Sequence, residues 1–286
     1  MNEQVKPDVL QKLRDVAYRV DASFSHHHEV SSILVFGSTA TGYVDERSDV
    51  DMLIICRSGL LSVTDRENIL SELGSNWRFH DQSNNNALFA DIDVGSLVDS
   101  VLVEVHYQTA SWVSEVLAKV LDHGAITTEK LPFRPYTLPA LLQRAWLLTD
   151  KDGTVKQWCE KAKIFPEQLK INILRHFVPI LRENLAELQA NADRGLGPRG
   201  FIFFLNWAVD AMTSILFALN EIYDPADRRA ECTILPTLTY VPQNFIPIFT
   251  EVMQGPFDDA GALYRATLFE SLAIEVLKMA EAQQKL

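Results

Sequence analysis

Residues 33–55 constrain the fold of this chain more than any other stretch. The segment starts with four apolar residues, turns at Gly37 and Ser38, and ends with a second run of four apolar residues. Short apolar runs bounded by turn signals predict buried strands. Asp49 and Asp51 lie at the start of the second run, and side chains two apart in a strand point to the same face. Because two adjacent carboxylates repel each other, the pattern predicts a site for a hard divalent cation.

The spacing within this stretch carries a resemblance to a known superfamily. Gly37-Ser38, ten intervening residues and then Asp49-Val50-Asp51 resembles the signature of the nucleotidyltransferases that include DNA polymerase beta. The likeness is closer to antibiotic nucleotidyltransferases, which adenylylate aminoglycosides or lincosamides, and to related bacterial proteins of unassigned substrate. It covers roughly residues 30–110. The resemblance implies an enzyme that moves a nucleoside monophosphate, AMP, from ATP to a hydroxyl and releases pyrophosphate.

The resemblance also implies how the nucleotide is held. Gly37 and Ser38 would contact the triphosphate, because backbone amides approach a phosphate closely only where no side chain blocks them. Arg47 and Ser48, in the loop before the acidic pair, are further candidates for nucleotide binding. Mg²⁺, as one or two ions, is the implied cofactor.

A third carboxylate is expected on a neighbouring strand. Residues 101–107 alternate valine with other side chains, which predicts a strand whose opposite face carries Glu104. In the superfamily the third acidic residue lies on such a strand, so Glu104 is the expected partner of Asp49 and Asp51 in catalysis and metal binding. His106 shares that face and is a weaker candidate. A second acidic pair, Asp91-Ile92-Asp93, is the rival of Glu104, and the sequence leaves this choice open.

A proline-rich segment at 131–139 predicts a linker. We therefore expect an α+β protein with two domains. Residues 1–130 would form a nucleotidyltransferase domain with a small mixed sheet flanked by helices, and residues 131–286 an all-α helical bundle that binds the acceptor. The pattern at 140–148 predicts the first short helix of that bundle.

Charge restricts the partners that this chain can have. Its 286 residues carry a formal net charge of −12. A broad nucleic-acid interface needs a basic surface to displace counterions from phosphates, so we expect no nucleic-acid partner. An acidic protein suits a nucleotide triphosphate that arrives with its own cation, and a small, cationic acceptor.

Cysteines and hydropathy indicate a cytoplasmic protein without a membrane span. Cys56, Cys159 and Cys232 are odd in number and widely spaced, which argues against a disulfide framework or a zinc site. The apolar segment 201–219 is long enough to span a membrane. Because Asn206 and Asp210 lie in it, a buried core helix is the better interpretation.

Two other functions compete with transfer to a small acceptor. One is AMP transfer to a macromolecule, and the other is a non-catalytic domain that binds nucleotide as a sensor or partner module. A binding-only domain has no need to keep two repelling carboxylates, which favours the enzyme. The sequence is silent on oligomeric state. A homodimer is left as one alternative, since some related enzymes complete their site across a dimer.

Overall fold

The computed structural model describes residues 6–80, 91–97, 101–128, 134–226, 233–256 and 258–284. The chain divides into two compact units, Met1–Ile164 and Phe165–Leu286. The first unit is α+β and the second is helical, which confirms the predicted fold class.

The N-terminal unit consists of one sheet and the helices that flank it. The helices are α1 (Pro7–Phe24), α2 (Gly37–Thr41), α3 (Val63–Ser71), α4 (Ala110–His123), α5 (Thr137–Arg144) and α6 (Thr154–Ala162). The strands are β1 (Val30–Phe36), β2 (Val50–Cys56), β3 (Gly74–His80), β4 (Asp91–Leu97), β5 (Leu102–Thr109) and β6 (Trp146–Asp150).

The sheet is mixed, with the strand order β3-β4-β5-β2-β1-β6. Strands β2 and β5 are parallel, and every other neighbouring pair is antiparallel. β5 therefore lies between β2 and β4, with partners along both edges. In the β2–β5 register Asp51 lies opposite Glu104, so these two side chains share one face of the sheet.

Each face of the sheet has its own apolar core. One face packs against α1 and α3, with Val16, Leu70, Val103 and Val105 among its buried residues. The other face packs under α4, α5 and α6, and its buried residues are Leu34, Leu53, Ile55, Trp112, Val113, Val116, Leu117, Leu138, Leu142, Val155 and Trp158. Asp51 and Glu104 belong to this second face.

Strand β6 was not predicted. The sequence suggested a helix over 140–148, whereas the structure ends α5 at Arg144 and pairs β6 with β1, Ser32 lying opposite Asp150. Short apolar runs such as Trp146-Leu147-Leu148 do not distinguish a strand from a helix by period alone. Thr149 Oγ1 fixes the strand further by donating to Asp21 Oδ1 of α1 at 2.7 Å.

The unit boundary lies after Ile164, whereas the sequence placed it near residue 130. The proline-rich segment lies within the N-terminal unit. Its residues 131–133 are outside the described part of the chain, and its last three residues, 137–139, form the first turn of α5. The helices after it return to the sheet, because Leu142 of α5 and Trp158 of α6 pack on the second core.

The C-terminal unit is built from α7 (Glu167–Asp193), α8 (Pro198–Leu219), a 3₁₀ turn (Leu235–Thr237), α9 (Phe245–Gln254) and α10 (Asp259–Gln284). Helices α7, α8 and α10 pack against one another. Within the described residues, α8 alone is long and apolar enough to span a membrane, and half of its apolar window is buried. Partial burial of this kind is typical of a core helix.

Two of the three cysteines fall in described segments. Cys56 is buried and Cys159 is half-buried, and Cys232 lies outside the described residues.

Candidate active site

Three side chains from two parallel strands converge on one face of the sheet. Asp51 of β2 lies opposite Glu104 of β5, and His106 follows two residues along β5, opposite Leu53. One carboxylate oxygen from each acid and one imidazole nitrogen all lie within 4.8 Å of one another. Asp51 and Glu104 are half-buried, and His106 is 6% exposed. Oxygen and imidazole ligands in this arrangement fit a divalent cation.

Gly37 provides the space in which the Asp51 carboxylate lies. Strand β1 ends at Phe36, opposite Asp51, and Gly37 follows with φ of +65°. A Cβ atom on Gly37 would stand 2.2 Å from Asp51 Oδ2, closer than two atoms can approach. Glycine is required at position 37 for two reasons: the left-handed backbone conformation favours it, and a side chain there would collide with the Asp51 carboxylate. We call this space beside Gly37 the cradle of Asp51. It leaves the Asp51 carboxylate in the cluster, where Asp51, Glu104 and His106 together fit a cation.

The electrostatics of the cluster favour a bound cation. Partial burial and, after it, the charge of Asp49 raise the pKa of Glu104. His106 Nε2 lies 3.7 Å from Glu104 Oε2, and burial lowers the pKa of His106 to about 4. The imidazole is therefore neutral near pH 7 and does not offset the negative charge of Asp51 and Glu104. Two ionised carboxylates close together repel each other, and a bound cation relieves that repulsion.

Asp49 stands beside the cluster and is not one of its three members. It immediately precedes β2, and its backbone carbonyl accepts a hydrogen bond from Thr39 Oγ1 of α2 at 2.8 Å. Its charge still acts on Glu104. The sequence predicted Asp49, Asp51 and Glu104 as one set. The structure brings Asp51 and Glu104 together with His106, because parallel pairing sets β2 and β5 side by side.

The loop before β2 is closed by its own hydrogen bonds. Ser48 Oγ accepts from the Asp45 N–H at 2.9 Å, and the Arg47 N–H donates to Asp45 Oδ1 at 2.8 Å. The Arg47 side chain is exposed. Ser38 lies in the first turn of α2, and its carbonyl accepts from the Gly42 N–H at 2.9 Å. The Ser48 hydroxyl thus holds the loop in shape, and Ser38 is next to the glycine that borders Asp51.

Asp93 of the rival acidic pair faces away from this cluster. Asp93 pairs with Val105 across β4 and β5, so its side chain enters the core under α1 and α3. There Asp93 Oδ1 lies 2.7 Å from Arg66 Nη1, and both side chains are at most 1% exposed. The Arg66 guanidinium lies 5.0 Å from the centre of the Tyr107 ring. The side chain of Asp91 lies outside the described part of the structure. Among the described carboxylates, Glu104 is the one beside Asp51.

His106 was a minor candidate in the sequence and is a full member of the cluster in the structure. The available signal was its position two residues after Glu104, which places both on one face of a strand. A lone histidine in a strand gives no indication of its partner. The parallel register with β2 supplies that partner.

One known family is similar to the part of the chain that carries Asp49 and Asp51. Residues 19–97 match the model of the family described as polymerase beta, nucleotidyltransferase. The matched residues lie within the N-terminal unit. The matched range contains the nucleotidyltransferase glycine-serine turn and the first acidic pair, and it ends before β5. Together with the acidic cluster, it supports nucleotidyl transfer as the general reaction.

Solved structures give distant likenesses. A nucleotidyltransferase-like protein from Exiguobacterium sibiricum matches with a TM-score of 0.43 and 10% identity, over 96% of this chain and 78% of that one. The Cid1 poly(U) polymerase matches with a TM-score of 0.26 and 12% identity, over 49% and 42% of the two chains. The Thermotoga maritima CCA-adding enzyme complexed with tRNA gives a TM-score of 0.29 and 13% identity, over 88% and 58%. No curated protein sequence matches this chain significantly. At these scores the structural likenesses identify no substrate.

Proposed function

We propose that this protein transfers AMP from ATP to a hydroxyl of a small, cationic acceptor, with an antibiotic as the type of acceptor, and releases pyrophosphate in a reaction that depends on a divalent cation. The observation that carries the proposal is the register of β2 and β5, which sets Asp51 beside Glu104 next to the glycine that leaves room for the Asp51 carboxylate. The family match over residues 19–97 supports the same reaction class.

The acidic residues would divide the work of metal binding and proton transfer. Asp51 and Glu104 would hold a divalent ion, and Asp49 would add a carboxylate for a second ion carried in by the triphosphate. A bound ion would offset charge on the phosphoryl oxygens and lower the pKa of the acceptor hydroxyl. Mg²⁺ is the ion that the family resemblance implies.

Glu104 is also the proposed general base. Its carboxylate would take the proton of the acceptor hydroxyl as the acceptor oxygen forms its bond to the α-phosphorus. The bond between that phosphorus and the bridging oxygen of pyrophosphate then breaks, and the electron pair leaves with pyrophosphate. The raised pKa of Glu104 suits this role, since a base works best when its pKa lies near the working pH.

The turn at the end of β1 would bind the triphosphate. Ser38 can donate its hydroxyl and backbone N–H to phosphate oxygens, and Gly37 leaves the approach open. The exposed Arg47 offers a positive charge to the same group. Ser48 would act indirectly, by keeping the loop closed on Asp45.

Net charge supports the proposed acceptor. A net charge of −12 favours small cations over polyanions such as RNA. Transfer to a macromolecule and nucleotide binding without transfer are the competing results of the test below.

The test is a pyrophosphate-release screen of the full chain. Each of the four ribonucleoside triphosphates is combined with Mg²⁺ or Mn²⁺ and with aminoglycosides, lincosamides or an RNA oligonucleotide. We expect release with ATP and one cationic small molecule, and its loss in Asp51→Asn. The control is Glu115→Gln, which removes an exposed acid that pairs with Lys119 on α4, away from the acidic cluster.

The outcomes separate the three functions. Release with the oligonucleotide alone would support a macromolecular acceptor. Nucleotide binding without release above the Asp51→Asn level for any pair would support the sensor function and overturn the proposal.

A further inference from the structure

We propose that His106 supplies a nitrogen ligand to the cation site at Asp51 and Glu104, and that this site binds a first-row transition ion such as Mn²⁺ in preference to Mg²⁺. The inference rests on the proposed function only in that it concerns the same site. Cation binding is measurable without any nucleotide or acceptor, so the two proposals can fail separately.

Distances place the imidazole within reach of a shared ion. His106 Nε2 is 3.7 Å from Glu104 Oε2, and the three ligand atoms lie within 4.8 Å of one another. Ligands about 2.1 Å from one octahedral ion lie about 3 Å apart when adjacent and about 4.2 Å apart when opposite. The cluster therefore needs side-chain adjustments of only about 1–2 Å to close on an ion.

The surroundings hold the ring in place before any ion arrives. Strand β5 is paired on both edges, with Asp51's strand on one side and β4 on the other, so its backbone cannot shift freely. The His106 ring is 6% exposed and packs against Phe36, with ring centres 5.2 Å apart. A ligand that is already oriented loses little conformational entropy on binding.

The chemistry of the donor set selects the ion. Mg²⁺ takes oxygen ligands almost exclusively, whereas imidazole nitrogen suits first-row transition ions such as Fe²⁺, Ni²⁺ and Zn²⁺, a series in which Mn²⁺ is the weakest binder. Asp51 and Glu104 alone would form an oxygen site that suits Mg²⁺. Addition of His106 gives two carboxylates and one nitrogen, and the nitrogen donor favours a first-row transition ion over Mg²⁺.

The experiment uses the metal-free full chain and Mn²⁺ as the probe. Electron paramagnetic resonance counts bound Mn²⁺, and competition with Mg²⁺ gives the ratio of affinities. Pulsed measurements detect coupling of the bound Mn²⁺ to ¹⁴N of a ligating imidazole. We expect the wild type to bind Mn²⁺ at least about 10-fold more tightly than Mg²⁺ and to show the ¹⁴N coupling.

Substitution separates a ligand from a structural histidine. In His106→Gln the ¹⁴N coupling should disappear and the Mn²⁺ affinity should fall about 10–100-fold, with little change in Mg²⁺ affinity. The matched control is His28→Gln, because His28 Nε2 also lies 3.7 Å from a glutamate oxygen but its side chain is 83% exposed. That variant should keep the wild-type spectrum and the wild-type ratio of affinities.

Three results would overturn the inference: bound Mn²⁺ in the wild type without ¹⁴N coupling, no preference for Mn²⁺ over Mg²⁺, or equal losses in His28→Gln and His106→Gln. If His106→Gln fails to fold by circular dichroism, the wild-type spectrum and the affinity ratio decide by themselves. A wild type that shows the ¹⁴N coupling but releases no pyrophosphate with any acceptor contradicts the transferase proposal and leaves the cation site standing.

Discussion

Two acidic pairs of the same form, Asp49-Val50-Asp51 and Asp91-Ile92-Asp93, lie on strands that flank β5 from opposite sides. Asp51 lies opposite Glu104 and shares its face, whereas Asp93 lies opposite Val105 and points to the other face. A difference of one position in register thus decides between a half-buried acidic cluster and a fully buried ion pair. An Asp-x-Asp motif has no fixed chemistry until its strand partner is known.

The two pairs should also differ in their effects on the stability of the fold. The Asp51 cluster concentrates negative charge, which destabilises the fold and favours a cation. Asp93 is compensated by Arg66 at 2.7 Å, and loss of either partner would leave a buried charge. Substitutions at the first pair should therefore act on activity, and substitutions at the second on stability.

The largest expected effect is on catalysis. Asp51→Asn should lower the rate of pyrophosphate release about 10³-fold or more, because the cluster loses a charged ligand at the reacting centre. The free energy of unfolding should stay constant or rise slightly, since repulsion with Glu104 is relieved. Rates are compared at saturating ATP, alongside urea unfolding curves. A variant that is as active as the wild type would remove Asp51 from the site.

The buried pair should show the opposite response. Asp93→Asn should reduce the free energy of unfolding by about 3–5 kcal/mol, because Arg66 keeps its charge in the core without its carboxylate partner. Urea unfolding followed by tryptophan fluorescence gives the change. The control is Asp152→Asn, which breaks an exposed ion pair with Arg57 and should cost at most about 1 kcal/mol. Equal losses in the two variants would contradict the assigned role of Asp93.

Gly37 tests the cradle of Asp51. Gly37→Ala combines an unfavourable backbone conformation with a clash at Asp51 Oδ2, so it should cost about 1–2 kcal/mol of stability and lower Mn²⁺ affinity about 10–100-fold. Gly153→Ala is the matched control, since Gly153 has φ of +68° and nothing within 4 Å of the added Cβ. The control should lose stability but keep its Mn²⁺ affinity. If both variants keep their Mn²⁺ affinity, the cradle does not position Asp51.

The smallest effect concerns Glu104 and pH in the metal-free protein. The pKa of Glu104 is raised above its usual value of 4.5, so just above pH 4.5 the folded protein binds more protons there than the unfolded chain does. Stability from this group is therefore lost as pH rises through that window. The slope should stay well under about 1.4 kcal/mol per pH unit, the value for one whole proton, because solvent screens this half-buried group.

Asp49→Asn removes the negative charge of Asp49, the second cause of the raised Glu104 pKa. The pKa of Glu104 should therefore fall, and the free energy of unfolding should depend less steeply on pH. Carbon-13 NMR of the Glu104 carboxyl measures the pKa, and urea unfolding between pH 4.5 and 6.5 measures the slope. An unchanged Glu104 pKa in Asp49→Asn would mean that the two carboxylates do not interact.

Local patterns were enough to predict much of the N-terminal unit. Strands β1, β2 and β5 were recognised because apolar runs and strict alternation report burial directly. The glycine-serine turn and Asp51 follow from spacing, and Glu104 follows from the face opposite the valines of β5. Strand β6 was read as helix, because its five residues carry no period that separates the two states and its pairing with β1 is a distant contact.

What the sequence determined by itself was the class of fold and the acids that belong to the first strand pair, since each depends on neighbours close along the chain. The tertiary structure decided the partners: Glu104 and His106 for Asp51, and Arg66 for Asp93. The physical reason is strand register, because a side chain's face is set by local alternation but the residue opposite it is set only when distant strands pair.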